Sequence, residues 1–161
     1  MPTVSVNRAI NAPSSAVWAV LNDFGSIHQF HPAVNHSERT NSAPMGVGAE
    51  RTCQFDNGPI HERVVGYEPG RRMEIEIYET GPFPLKSAVA TFLVEVLDGG
   101  TTRITMTTDF TPKFGPVGRL MGPMMKAQFG KMMDGILKGL EDFVVSGATA
   151  GASTPVPAAQ P

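Results

Sequence analysis

Two spacings divide the chain. From Val34 to Phe110 apolar residues largely alternate with polar ones, and from Pro116 to Ser146 they recur every three or four positions. Alternation puts every second side chain on one face of a strand, whereas steps of three and four line one side of a helix. The alternating region predicts six strands in succession: Val34–Thr40, Ala49–Phe55, Ile60–Tyr67, Arg72–Glu79, Leu85–Leu97 and Thr101–Phe110. Turn signals separate them at Gly46-Val47-Gly48, Asp56-Asn57-Gly58-Pro59, Glu68-Pro69-Gly70, Gly81-Pro82-Phe83-Pro84 and Asp98-Gly99-Gly100. Short links between strands make an antiparallel meander with one apolar and one wet face. Met73, Ile75 and Ile77 share the apolar face with Ala88, Ala90, Phe92, Val94 and Val96, and with Ile104, Met106, Thr108 and Phe110.

Before the meander, Val4, Val6, Arg8 and Ile10 alternate as a first strand. A helix follows, with Ser14 or Ser15 as its expected cap, Val17, Trp18, Val20, Leu21 and Phe24 as its apolar positions, and Gly25 as its stop. A second short helix fits Ser26–Pro32. After the meander, Met121, Met125, Phe129, Met132, Ile136, Leu140 and Phe143 form one helical stripe. Pro123 disrupts a helix interior but not a first turn, so a break near Met121–Gly122, or a start at Pro123, is expected. Gly130, Gly135 and Gly139 each weaken this helix by roughly 1 kcal/mol relative to alanine. The sum is an α+β chain of about seven strands, with two short helices early and one long helix late.

Composition narrows the function. The 161 residues suit one domain, residues 1–146, and the Ala/Pro/Gly-rich remainder, 147–161, reads as a disordered tail. A formal charge of −2 with no basic run offers nothing to nucleic acid. No apolar run has signal-peptide or membrane-span length, so a cytoplasmic protein without an integral membrane segment is expected. Cys53 is the single cysteine, which excludes an intrachain disulfide; nothing at fixed spacing activates it, and it reads as a small core residue. His28, His31 and His36 do not match a zinc pattern, and no glycine-rich phosphate loop opens a helix. No metal or cofactor is therefore expected. Five of the nine methionines fall in the last helix, and methionine adapts to irregular partners.

The 56–59 turn suggests a hairpin pairing Phe55 with Ile60, Cys53 with Glu62 and Arg51 with Val64. Arg51, Cys53, Phe55, Ile60, Glu62 and Val64 then share the inner face, and His61 points outward. Arg51 and Glu62 become diagonal neighbours in a low-dielectric interior. There they act either as an inert pair that holds the strands in register, or as polar anchors with Glu62 as a general acid or base.

The order of elements, with Ile10-x-Ala12-Pro13, Val17-Trp18-x-x-Leu21-x-Asp23-Phe24, His31-Pro32-x-Val34, Gly48-x-x-Arg51, Gly58-x-x-x-Glu62-Arg63, Tyr67 and Gly139-Leu140-Glu141-Asp142-Phe143, resembles the helix-grip fold of the START and pollen-allergen (SRPBCC) superfamily. Within it the chain most resembles the bacterial polyketide cyclase/dehydrase and lipid-transport family. The resemblance implies a curved sheet gripping the long helix around a hydrophobic cavity. It implies ligand contacts from Met73, Ile75, Phe92 and Met106 on the sheet, and from Met121, Met125, Phe129, Met132 and Ile136 on the helix. His28 and His31 are placed near the entrance and Phe83 on a gating loop. Three functions follow as expectations: a carrier of a hydrophobic small molecule such as a lipid, polyketide or isoprenoid; a polyketide cyclase, aromatase or dehydratase using Arg51, Glu62 and His31; or a module gripping a partner protein through the helix and the 81–85 loop.

Overall fold

The computed structural model describes residues 2–147 and 149, without 99, 114 and 121. Strand β1 (Thr3–Ile10) leads into helix α1 (Ser14–Asn22) and a 3₁₀ segment (Phe24–Gln29). The meander is β2 (His36–Arg39), β3 (Glu50–Phe55), β4 (Gly58–Glu68), β5 (Arg72–Glu79), β6 (Leu85–Asp98) and β7 (Thr101–Pro112). Helices α2 (Gly115–Leu120) and α3 (Gly122–Ser146) follow. All seven strands form one antiparallel sheet in the order β1-β7-β6-β5-β4-β3-β2, so β1 joins the end of the meander and leaves β2 at the far edge.

Most expected elements stand where the alternation puts them. The first helix differs at its start: Pro13 is the N-cap, and no side chain caps the helix. The Pro13 carbonyl accepts from the Ala16 and Val17 amides instead of a serine hydroxyl serving the cap. Proline suits this junction because its φ is already restricted and it has no amide to orphan. The strand expected over 34–40 shortens to four residues. Val96, expected on the apolar face, is 65% exposed because β6 runs past the core at that end.

The β3–β4 hairpin is a register correction. Phe55 pairs with Gly58, Cys53 with Ile60 and Arg51 with Glu62. Only Asp56 and Asn57 form the turn, and Gly58, at φ +139°, and Pro59 already belong to β4. The shift is by two residues, so every side chain keeps the face expected for it. Arg51 and Glu62 are consequently directly opposite rather than diagonal.

Cross-strand pairing arranges the inner face in rows. One row runs Phe110, Ala88, Ile77, Glu62, Arg51; the next runs Thr108, Ala90, Ile75, Val64. Alanine at two adjacent inward positions on β6 lowers the middle of the sheet and makes room beneath the helix. Long helix α3 covers this face, burying Met125, Met133, Ile136, Leu137 and Leu140. Burying a leucine of this kind contributes about 1.5–3 kcal/mol. Arg8 on β1 reaches Glu141 on α3 at 3.0 Å and ties the helix to the sheet edge. Helix α2 is described to Leu120 and α3 from Gly122, with Pro123 in the first turn of α3; Met121, where a break was expected, lies outside the described residues.

Candidate functional site

A cavity of about 80 Å³, partly open to solvent, lies between the inner sheet face and α3. Its wall is overwhelmingly apolar. Ile75, Ile77, Ala88, Ala90, Phe92, Met106 and Phe110 come from the sheet, and Phe129, Met132, Met133 and Ile136 from α3. Ile27 and Val34 contribute to the wall from the 3₁₀ segment and the turn after it, and Phe83 and Leu85 from the loop before β6 and the start of β6. The volume is below the ~150 Å³ of an engineered cavity that holds benzene. A ligand larger than one ring must therefore displace side chains or extend through the opening. Met132 and Met133 are the lining groups that rearrange most easily, being unbranched.

The polar part of the wall is compact. Arg51 Nε donates to Glu62 Oε1 at 2.6 Å, and both side chains are under a tenth exposed. Arg51 Nη1 donates to the Phe24 carbonyl at 3.0 Å, and the guanidinium lies over the Phe24 ring at 4.0 Å. Cys53 Sγ, one pair along β3, donates to the same Glu62 oxygen at 3.4 Å. Burial and the neighbouring Glu62 carboxylate push the Cys53 thiol pKa well up, so it stays protonated and is a poor nucleophile. The charges of Arg51 and Glu62 are thus matched and hydrogen-bonded, the condition under which a buried pair is tolerated.

His31 sits beside this pair, 7% exposed, its ring edge-on to Phe55 at 5.5 Å. Its Nδ1 accepts the Ala33 backbone amide at 3.1 Å, so the neutral ring carries its proton on Nε2. Burial first, and the Arg51 charge second, lower its pKa to about 3. At neutral pH His31 is a hydrogen-bond donor rather than a proton reservoir, which favours ligand orientation over the proton transfer considered for it from sequence. Among the described residues, Nε2 has no hydrogen-bond partner.

The loop after β5 forms the rim. Gly81 adopts φ +52°, and a Cβ there would stand 2.1 Å from the Pro59 carbonyl oxygen. Only glycine lets this loop lie against the β3–β4 turn. That approach brings Phe83 edge-on to Phe55 at 5.1 Å, across the wall of the cavity.

Ten of the residues expected from sequence line the cavity: His31, Arg51, Glu62, Ile75, Phe83, Phe92, Met106, Phe129, Met132 and Ile136. Three others do not. Met73 is fully buried in the core beside the cavity, paired with Phe92. Met125 packs with Leu85, Ala88 and Phe110 in a small cluster at the start of α3. His28 faces away: its Nδ1 bonds Ser37 Oγ at 2.7 Å and its ring stacks on His36 at 5.9 Å. Met121 lies outside the described residues. Sequence reasoning missed Ile27, Val34, Thr80, Met133, and the roles of Ala88, Ala90, Thr108 and Phe110 as cavity wall. The alternating pattern had already put the last four on the apolar face, which was the available signal. Among the described residues no three His, Cys, Asp or Glu side chains converge as a metal site. No helix among them is long and apolar enough to cross a membrane.

The sheet wrapped on a long C-terminal helix, with an apolar cavity between, defines a helix-grip fold. The family described as polyketide cyclase/dehydrase and lipid transport matches residues 1–144, and the chain belongs to that family. The fold resembles a Thermobifida fusca protein solved by solution NMR, with a TM-score of 0.72, 24% identity, and coverage of 89% of this chain and 93% of that one. It also resembles the Zhui aromatase/cyclase from Streptomyces sp. R1128, with a TM-score of 0.73, 17% identity, and 92% and 99% coverage. A START superfamily protein from Mycobacterium smegmatis gives a TM-score of 0.72, 17% identity, and 88% and 96% coverage. At these identities the likeness is one of fold. No curated protein matches the chain in sequence.

Proposed function

We propose that this protein binds a hydrophobic small molecule of the lipid, polyketide or isoprenoid kind between its sheet and α3. The observation that carries the reading is the composition of the cavity wall. Apolar side chains cover nearly all of it, and its strongest charges, Arg51 and Glu62, neutralise each other. Such a wall rewards burial of an apolar surface and leaves few groups to do chemistry. The methionines on α3 allow the volume to grow around a ligand. Native mass spectrometry of protein from its own host tests this: a bound apolar molecule of defined mass is expected. Its absence, together with no saturable uptake of a fluorescent apolar probe, overturns the reading.

One feature favours a second function, polyketide cyclisation, aromatisation or dehydration. The neutral His31 Nε2–H lines the same cavity as the Glu62 carboxylate and the Arg51 guanidinium, and His31 lies near enough to Arg51 to feel its charge. A carbonyl held there meets donors that polarise it, and folding of a reactive chain needs mainly shape and a proton carrier. The aromatase/cyclase of similar fold adds to this reading. Glu62→Gln, assayed where circular dichroism shows it folded, separates the two functions: under the cyclase reading turnover of a polyketide-like substrate disappears while binding survives, and equal turnover in both proteins removes Glu62 from that role.

A further inference from the structure

The cavity has a second polar point that neither reading uses. Thr108, in the middle of β7 on the inner face, is 8% exposed and lines the cavity. Its Oγ1 is buried and has no hydrogen-bond partner among the described residues. The contrast with its neighbours is informative. Thr80, also on the cavity wall, donates to the Leu85 carbonyl at 2.8 Å, and buried Thr102 donates to the Ala12 carbonyl at 2.7 Å. Buried hydroxyls are normally paired in this way, and an unpaired one costs stability. Valine has nearly the same shape and carries no such cost, so the fold itself gives no reason for a hydroxyl at 108.

Thr108 is also remote from the other polar group. It lies on β7, whereas Glu62 lies on β4, three strands away, and His31 and Arg51 are on the Glu62 side. Three strand spacings are roughly 14 Å measured along the sheet, and less across its concave face. Between the two points the wall is Ala88, Ala90, Ile75 and Ile77.

We propose that Thr108 is a specificity-determining anchor for the ligand. It hydrogen-bonds a hydroxyl or carbonyl oxygen at one end of an apolar molecule whose other oxygen meets His31 Nε2–H. This rests on the ligand-cavity reading above and deepens it. The ligand class is an elongated apolar body oxygenated at two separated positions, and it binds in one orientation. A wholly apolar molecule, or one with a single polar head, uses only part of the site.

The test is calorimetric titration of naphthalene, a naphthol and a naphthalenediol with hydroxyls on opposite rings into the wild type and Thr108→Val. In the wild type the diol binds most tightly. In Thr108→Val the diol weakens about three- to tenfold, the equivalent of one hydrogen bond, while naphthalene is unchanged or slightly tighter. The variant melts no lower than the wild type, because the lost hydroxyl had no partner. A diol that binds no better than naphthalene overturns the proposal. So does a variant that affects all three probes equally or none of them, in which case the hydroxyl serves a buried water. A marked fall in melting temperature also overturns it, by showing a partner within the fold. If naphthalene itself fails to bind the wild type, the cavity reading falls first and takes this one with it.

Discussion

His31 makes the stability of this protein depend on pH in a defined direction. Its ring is buried and neutral, with a pKa of about 3 in the folded chain against 6.5 in the unfolded one. Below pH 6.5 the unfolded chain takes up a proton that the folded chain refuses. The contribution is therefore complete above the unfolded pKa and is lost as pH falls from 6.5 towards 3. Linkage gives a loss of about 2.5 kcal/mol between about pH 7 and about pH 4.5, with a slope near 1.4 kcal/mol per pH unit in the lower part. Carboxylates titrate over part of the same range, so the comparison needs a variant. The substitution His31→Asn supplies an amide oxygen where Nδ1 now accepts the Ala33 amide, and the new side chain does not titrate. Urea denaturation of both proteins at the two pH values isolates the difference: the wild type should lose about 2.5 kcal/mol more than the variant. Parallel losses would show that His31 does not carry the pH dependence, as would nitrogen NMR showing its ring titrating near the ordinary value.

Other residues give sharper or simpler outcomes. Glu62→Gln leaves the Arg51 guanidinium buried without its counter-charge and should destabilise by about 3–5 kcal/mol, whereas the double change Arg51→Met with Glu62→Leu should cost far less; denaturant midpoints distinguish them. Gly81→Ala sets a methyl against the Pro59 carbonyl at a left-handed backbone position and should cost at least about 1–2 kcal/mol. Because that loop carries Phe83, stopped-flow release of a bound apolar probe should also be faster. Gly130→Ala should stabilise by up to about 1 kcal/mol in a thermal melt, since its added carbon meets Val4 at an ordinary 3.6 Å.

The periodicity of the chain carried the fold a long way, because one sheet face is buried and the other wet. Alternation along β5, β6 and β7 identified Met73, Ala90, Phe92, Ile104 and Met106 as inward before any pairing was known. Pairing itself was less legible. Asp56-Asn57-Gly58-Pro59 reads as a four-residue turn, yet Gly58 and Pro59 extend the strand, and only the register change brings Arg51 directly opposite Glu62. The cavity was legible as a face but not as a shape. Met73 and Met106 both point inward, and what separates core from wall is where Ala88 and Ala90 leave space. On α3 the helical stripe has a width that a single line of positions cannot express, so Met133 and Leu137 are buried beside Ile136. Thr108 looked like one polar interruption of an apolar face; its unpaired state belongs to tertiary structure. The glycines of α3 cost the helix stability, and at Gly130 no close packing explains the missing side chain, since the nearest neighbour of an added Cβ stands at an ordinary 3.6 Å.

If the space between the sheet and α3 receives a hydrophobic ligand, filling that space must abolish binding. Ala90 is 6% exposed and forms the floor of that space beneath the helix. Ala90→Phe fills the floor from within. Titration of a fluorescent apolar probe into wild type and variant, with circular dichroism to confirm that both are folded, tests the claim directly. Saturable binding to the wild type that is lost in the folded variant is the predicted result. Undiminished binding to a folded Ala90→Phe would contradict it, because the probe would then be bound elsewhere.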